Sequence, residues 1–180
     1  VSSQVTSALE SASTLQSQGM VVLLSIVGFH QDAGWSCFPT QAAADAFASQ
    51  VSNVISQYGI DGVDIDDECS NGPTNDVSLI MATSGILANA PVTITKALWN
   101  DIQYFKARWH GTKLADNLAA GWEMSYGATD CYGILSPYVK EGMDPLFLCG
   151  GAGATADFPQ SAITQLAQCI CNNQYGGRVV

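Results

Sequence analysis

The sequence has few basic residues. Its 180 residues include 6 lysines and arginines against 16 aspartates and glutamates, so the formal net charge is -10 at pH 7. No stretch concentrates basic side chains into a patch or stripe. A nucleic acid is therefore not an expected partner, because its phosphates require such a patch. A neutral partner such as a sugar fits this charge better.

Long apolar runs are also missing. None approaches the roughly 20 residues that span a bilayer, so we expect no membrane association. The first residues, Val1 to Gln4, lack the basic and apolar regions of a signal peptide. No low-complexity segment or linker interrupts the chain, and its 47% hydrophobic content supports a folded core. We predict a single domain over residues 1–180 and a monomer.

The sequence does not indicate a metal or a cofactor. Cys169 and Cys171 have no second cysteine pair at the spacing of a zinc site. The glycine-rich segment 150–153 lacks the lysine of a phosphate-binding loop and the spacing of a dinucleotide fingerprint. We predict that it forms a tight turn between a strand and a helix.

Six cysteines are present, and an even number with little lysine is typical of a secreted protein with disulfide bonds. The alternative is a set of buried free thiols. Many pairings are possible in principle. We favour a bridge between Cys37 and Cys69, because both follow predicted strands that are neighbours.

Short apolar runs alternate with amphipathic segments along the chain. The helix over 41–57 has Thr40 as its predicted N-cap and ends at Gly59. Strands are predicted at 21–27 (a buried one), 61–68, 92–96, 122–126, 145–149 and 178–180, and helices at 5–18, 41–57, 75–88, 130–140 and 159–171. Alternation of this kind predicts βαβ units and a parallel sheet.

The number of strands limits the possible folds. A closed (β/α)8 TIM barrel needs eight strands and usually about 250 residues. We therefore predict an α/β fold, a (β/α)8 barrel that is incomplete in this chain, with about six strands and without the first two. The alternative is a complete, doubly wound domain of the flavodoxin type.

The segment from Asp61 to Glu68 reads D-G-V-D-I-D-D-E. Residues two apart in a strand point to the same face, so Asp64, Asp66 and Glu68 share one face and the intervening apolar residues share the other. A barrel strand has such a polar inner face, and its C-terminal end is where these barrels place catalysis. The alternatives are a solvated strand end or a cation site. Carboxylates spread over about 13 Å along a strand do not converge on one ion.

This segment resembles the D-G-x-D-x-D-x-E signature of glycoside hydrolase family 18. Two further segments agree with the resemblance. Ser25-Ile26-Val27-Gly28 is similar to the family's S-x-G-G strand, with Val27 in place of the first glycine, and Met124-Ser125-Tyr126 is similar to its M-x-Y strand. The resemblance implies that the Ser25 strand is the third strand of a barrel, the acid-rich strand the fourth and the Tyr126 strand the sixth.

Within the family, residues 24–35 resemble the L-S-x-x-G-x-H-Q-x-A-G-aromatic loop of endo-β-N-acetylglucosaminidases of the Endo H and Endo T kind. Cys69 stands where those enzymes often have an aromatic residue. The resemblance implies cleavage between the two core GlcNAc units of high-mannose or hybrid N-glycans. The alternatives are a chitinase of the same family and an inactive chitinase-like lectin. Such lectins typically lose the acid at the position of Glu68 or Asp66, and both acids are present here.

The resemblance also implies the catalytic roles. In this family the substrate's own acetamido oxygen attacks the anomeric carbon. Glu68 would then protonate the leaving oxygen, Asp66 would hold the acetamide N–H and share a proton with Asp64, and the hydroxyl of Tyr126 would orient the acetamide. We assign no catalytic role to Asp67. The residues expected to contact substrate are Ser25, Gly28, His30, Trp35, Trp122 and Met124, with Phe29 as a second aromatic residue in the loop of Trp35.

Overall fold

The structure of the protein is a computed structural model that describes residues 3–28, 30, 32–153 and 159–179. These residues form two compact units, unit 1 over residues 1–94 and unit 2 over residues 95–180. Strand β3, Thr93–Leu98, crosses the boundary. Of the residues with predicted roles, Phe29 lies outside the described part of the chain, and so does Val180 of the last predicted strand.

Unit 1 contains two parallel strands that alternate with helices along the chain. The strands are β1 Leu23–Val27 and β2 Gly62–Asp66. The helices are α1 Ser3–Glu10, α2 Ala12–Gln16, α3 Gln41–Tyr58 and α4 Ser78–Asn89, with a short 3₁₀ turn at Trp35–Cys37.

Unit 2 continues the same alternation of strands and helices. Its strands after β3 are β4 Ala120–Glu123, β5 Leu148–Gly151 and β6 Gly177–Val179. Its helices are α5 Ile102–Lys106, α6 Cys131–Lys140 and α7 Gln160–Asn172, with 3₁₀ turns at Leu114–Asn117 and Pro145–Phe147.

The strands of each unit are parallel and pair in chain order. In unit 1, β1 pairs with β2, and in unit 2 β3 pairs with β4, β4 with β5 and β5 with β6. A doubly wound sheet reverses its strand order at a switch point. In unit 1, the backbone N–H of Thr93 at the start of β3 donates to the carbonyl of Asp61 directly before β2, so β3 begins beside β2, whereas the flavodoxin order would place it beside β1. The order is therefore that of a partial α/β barrel, as predicted, and the flavodoxin alternative is wrong.

Local sequence determines the limits of α3. The Oγ1 atom of Thr40 accepts a hydrogen bond from the backbone N–H of Ala43, which satisfies one of the free donors of the first turn. The helix ends at Gly59, whose φ of +63° is a left-handed conformation that glycine adopts without a steric cost. Both predicted ends are confirmed to within one residue.

Several predicted elements differ from the structure. The helix expected over 5–18 is two helices interrupted at Ser11. The strand expected over 21–27 begins at Leu23 and is only partly buried, since Ser25 and Val27 are exposed. The strand expected over 145–149 begins at Leu148, because the Asp144 side chain accepts from the N–H of Leu146 and closes a 3₁₀ turn. Within the described residues, no helix is long and apolar enough to cross a membrane.

Gly62 is the glycine of the acid-rich strand, and its position has no room for a side chain. A Cβ atom built there would overlap the carbonyl oxygen of Thr93. We expect Gly62→Ala to lower the free energy of unfolding by about 2–3 kcal/mol, because a backbone atom must move to accommodate it. Gly59→Ala is the matched control, since a Cβ there meets no atom within 4 Å. This variant should lose only about 1 kcal/mol, the cost of a left-handed backbone conformation at alanine. Urea denaturation measures both, and equal losses would contradict this account.

Candidate functional site

The acids of β2 lie where the sequence predicts. Val63 and Ile65 are fully buried (0% exposed), whereas Asp64 and Asp66 on the other face are partly exposed. In the pairing with β1, Ser25 is opposite Asp64. The Ser25 hydroxyl donates to Asp64 Oδ2 over 2.8 Å, which ties this acid to the neighbouring strand.

Glu68 follows two residues after the end of β2, beside the loop that carries His30. Glu68 Oε1 and His30 Nε2 are 3.6 Å apart, with the carboxylate partly buried and the imidazole largely exposed. Ser70 Oγ donates to the carbonyl oxygen of Glu68 over 3.0 Å and lies 3.4 Å from His30 Nδ1. His30 has a left-handed φ of +54°, and its carbonyl accepts from the Asn71 side chain over 2.8 Å. These contacts bring His30 to the predicted catalytic acid.

A disulfide and two glycines hold the loop against the end of β2. Cys37 and Cys69 are bonded, as predicted, with their Cα atoms 6.3 Å apart. A Cβ at Gly34 would lie 2.8 Å from the Cβ of Cys69, and one at Gly28 would lie 3.1 Å from the Glu68 backbone nitrogen. Both positions therefore require glycine for close approach. Gly28 provides space beside Glu68, in addition to any contact with substrate.

Trp35 is buried, which differs from the sugar-facing position that the sequence predicts. It is 1% exposed, its indole N–H donates to the carbonyl of Ile26 over 3.1 Å, and its ring packs edge-on against Phe47 at 4.8 Å. An indole in this position has no free face for a sugar. Its apolar surface fills the space between β1 and α3 instead.

Asp67, to which we assign no catalytic role, contacts the loop. Its Oδ1 atom accepts a hydrogen bond from the backbone N–H of Ser36 over 3.1 Å. Because Ser36 belongs to the loop that Cys37 ties to Cys69, this hydrogen bond helps to hold the loop beside Glu68.

In unit 2, Tyr126 lies beyond the end of its strand. The predicted strand over 122–126 ends at Glu123, because the Glu123 carboxylate accepts from both the backbone N–H and the hydroxyl of Ser125 and turns the chain. Tyr126 then has a φ of +47°, and its carbonyl accepts from the N–H of Gly153 over 3.0 Å. The predicted strand is therefore wrong at its C-terminal end, which does not reach Tyr126. Trp122 is in β4 and Met124 directly after it, and both are half-buried.

A left-handed backbone at Tyr126 is a source of strain. Bulky residues seldom adopt positive φ, and such outliers cost about 1–3 kcal/mol and occur most often at functional sites. The tyrosine ring is 47% exposed, so burial of the ring does not compensate for this cost. A functional requirement on the position of the hydroxyl is consistent with both facts.

Sequence reasoning missed a buried polar cluster in unit 2. Lys96 Nζ makes a short ion pair with Asp101 Oδ2, and Asp101 Oδ1 accepts from the Tyr138 hydroxyl over 2.7 Å. Burial, and then the negative charge of Asp101, raise the pKa of Tyr138. Burial also raises the pKa of Glu123, against the opposing effect of its hydrogen bonds to Ser125. The sequence signal for this cluster was Lys96 inside the strand T-I-T-K-A-L. A lysine that is buried in a strand needs a buried partner for its charge.

A second disulfide joins Cys131 to Cys169 in unit 2, with Cα atoms 5.8 Å apart. Cys149 and Cys171 are free thiols, and burial raises the pKa of Cys149. In the described part of the chain, no three histidine, cysteine or acidic side chains come together as a metal site would require.

Comparison with known proteins gives a consistent set of relatives. The chain is 36% identical over 169 residues to an endo-β-N-acetylglucosaminidase of Flavobacterium sp. (strain SK1022), a match that covers 90% of this chain and 52% of the relative. The chain thus spans about half the length of that relative. No model of a known protein family matches the sequence.

Solved structures share the fold. The structure of a fungal endo-β-N-acetylglucosaminidase from glycosyl hydrolase family 18 superposes with a TM-score of 0.68 at 14% identity, over 95% of this chain and 67% of the other. Bacteroides thetaiotamicron EndoBT-3987, solved in complex with Man9GlcNAc2Asn substrate, gives a TM-score of 0.68 at 20% identity, over 93% of this chain and 43% of the other. Likeness at these identities supports the fold, a partial TIM barrel.

The buried cluster leads to a prediction about stability. Asp101→Asn leaves the positive charge of Lys96 buried without its counter-charge, so we expect the free energy of unfolding to fall by about 3–5 kcal/mol. Glu141→Gln removes the acid of a more exposed ion pair with Lys113 and should cost at most about 1 kcal/mol. Chemical denaturation of both variants checks this difference. Similar small losses for both would show that Asp101 does not stabilise Lys96.

Proposed function

We propose that this chain carries the catalytic acids of an endo-β-N-acetylglucosaminidase of glycoside hydrolase family 18. The substrate would be an N-linked glycan of the high-mannose or hybrid type, cut between its two core GlcNAc units. The observation that carries the proposal is the set of acids Asp64, Asp66 and Glu68 along and just after β2. Ser25 donates a hydrogen bond to Asp64, and His30 lies beside Glu68.

Glu68 is the proposed general acid. It gives its proton to the glycosidic oxygen as the bond from that oxygen to the anomeric carbon breaks. The carbonyl oxygen of the substrate's acetamido group forms a new bond to the same carbon from the opposite face, which gives an oxazolinium. Water then adds to the anomeric carbon as the bond from that carbon to the acetamido oxygen breaks, which restores the acetamide, and the Glu68 carboxylate accepts the proton of that water. Two inversions at one carbon retain its configuration.

The other two acids of the strand would support the positive charge of this intermediate. Asp66 is the nearer to Glu68 along β2 and would accept the acetamide N–H. Asp64 lies one step deeper in the strand, and we propose that it shares a proton with Asp66. The Ser25 hydroxyl, 2.8 Å from Asp64 Oδ2, fixes the orientation of that carboxyl group.

Tyr126 would bind the acetamide oxygen through its hydroxyl and direct it at the anomeric carbon, a positioning role. Its exposed ring and left-handed backbone support this proposal. Trp122, Met124 and His30 stay proposed contacts to the sugars.

We also propose that the protein is secreted and acts on glycoproteins outside the cell. The two disulfides support this, since such bonds persist in oxidising compartments. A neutral glycan also suits a chain with a net charge of -10.

Glu68→Gln tests the proposal most directly. An amide cannot donate the required proton, so we expect cleavage of a high-mannose glycoprotein to fall by a factor of about 100–10,000. The mass of the treated glycoprotein is the measurement, and the proposed enzyme leaves one GlcNAc on each asparagine.

Asp67→Asn is the matched control, because it removes the neighbouring carboxylate but keeps the oxygen that accepts from Ser36. Its activity should be close to that of the unaltered protein. Cleavage of a chitin oligomer alone would identify a chitinase instead. Sugar binding without cleavage of either substrate would identify a lectin and contradict the proposal.

Tyr126→Phe tests the positioning role. Removing only the hydroxyl should lower kcat by roughly 10- to 100-fold, because the acetamide oxygen loses the group that directs it, and should change KM much less. Tyr132→Phe in α6 is a suitable control, since Tyr132 is also exposed. Steady-state kinetics on a defined glycopeptide separates kcat from KM. An unchanged kcat in Tyr126→Phe would eliminate this role.

A further inference from the structure

Unit 2 contains a cavity of about 290 Å³ that none of the proposed catalytic residues lines. It lies beside the C-terminal ends of β3 and β4. Its apolar wall consists of Ile102 together with Ile134 and Pro137 of α6. The volume is at the lower end of the roughly 300–1,000 Å³ that small-molecule pockets occupy, which suits one sugar ring rather than an oligosaccharide.

The polar wall of this cavity is fixed in position. Glu123, which is 5% exposed, lines the cavity and accepts two hydrogen bonds from Ser125. A carboxylate has about four lone-pair sites, so Glu123 retains capacity for hydrogen bonds to a ligand. Tyr138 also lines the cavity, and its hydroxyl donates to Asp101.

The charges at the cavity select against anions. Among the described residues that line it, none is basic, and Lys96 of the buried cluster is paired with Asp101. The acid of the lining is Glu123, and burial raises its pKa, which favours the protonated form that can donate to a ligand oxygen. A hydroxyl group of a neutral ligand can accept from the protonated form or donate to the carboxylate, whereas the carboxylate would repel an anion.

Trp99 forms the rim of the cavity and is 58% exposed. The indole follows directly after β3, and Asn100 beside it also lines the cavity with a φ of +46°. An exposed large aromatic face next to buried polar groups is a combination that recognises ligands with one apolar and one polar face. The C–H face of a pyranose and its hydroxyl groups form such a ligand.

We propose that this cavity binds one neutral pyranose ring, stacked on Trp99 and hydrogen-bonded to Glu123. None of the residues to which we assign a catalytic role is among the described residues that line it. It would hold a sugar unit without cleaving it. Binding of one ring should be weak, about millimolar, as the small number of atoms allows.

The test uses two ligands that differ only at one carbon: methyl β-glucopyranoside and methyl β-glucuronide. Neither has the acetamido group that the proposed hydrolysis requires, so a failure of that mechanism leaves this result unaffected. Isothermal titration with the unaltered protein should show saturable binding of the glucoside and at least tenfold weaker binding of the glucuronide. Equal affinities, or no binding of the glucoside, would overturn the proposal.

Variants locate the binding site. Trp99→Ala should weaken glucoside binding about tenfold, the range expected when a large aromatic contact is removed. Trp99→Phe keeps a smaller ring and should have an intermediate effect, which guards against a folding defect in the alanine variant. Tyr132→Ala removes another exposed aromatic residue of unit 2 that does not line the cavity, and should leave the affinity unchanged. Unchanged affinity in Trp99→Ala would overturn the proposal.

Discussion

The pairing of β1 with β2 is the constraint on which the candidate site depends. Its register places Ser25 opposite Asp64 and keeps Val63 and Ile65 on the fully buried face. A shift of one residue would exchange the two faces of the strand. The carboxylates would then enter the apolar interior, where an unpaired charge is very costly. The buried valine and isoleucine therefore determine where the acids point.

The strand alone does not place Glu68, which lies beyond the end of the ladder. The loop from Gly28 to Cys37 holds Glu68 in position through three kinds of contact. These are a disulfide, the close packing of the loop's glycines against residues 68 and 69, and the hydrogen bond from Ser36 to Asp67. Each contact joins the loop to a residue within one position of Glu68. Gly28 and Cys69 thus have structural roles that do not depend on the substrate.

The sequence predicted those features that short-range chemistry determines. Thr40 and Gly59 set the ends of α3 through local hydrogen bonds and φ, and the alternation in β2 follows from its buried and exposed faces. The bridge from Cys37 to Cys69 followed from strand order, because neighbouring parallel strands end at the same edge of a sheet. The break at Ser11 and the late start of β5 were missed. The start of β5 depends on the hydrogen bond that the Asp144 side chain accepts from the N–H of Leu146, which hydrophobic periodicity does not register.

Glu123 shows most clearly what periodicity cannot reveal. Because successive residues of a strand point to opposite faces, the sequence predicts only that the Glu123 side chain lies on the face opposite to that of Trp122. The structure shows that its hydrogen bonds to Ser125 end β4 early, and three residues later Tyr126 adopts a left-handed backbone. The acid that ends the strand also lines the cavity beside Trp99. One buried carboxyl group therefore contributes both to the chain turn before the proposed positioning tyrosine and to the proposed sugar-binding cavity, although neither role has a sequence motif.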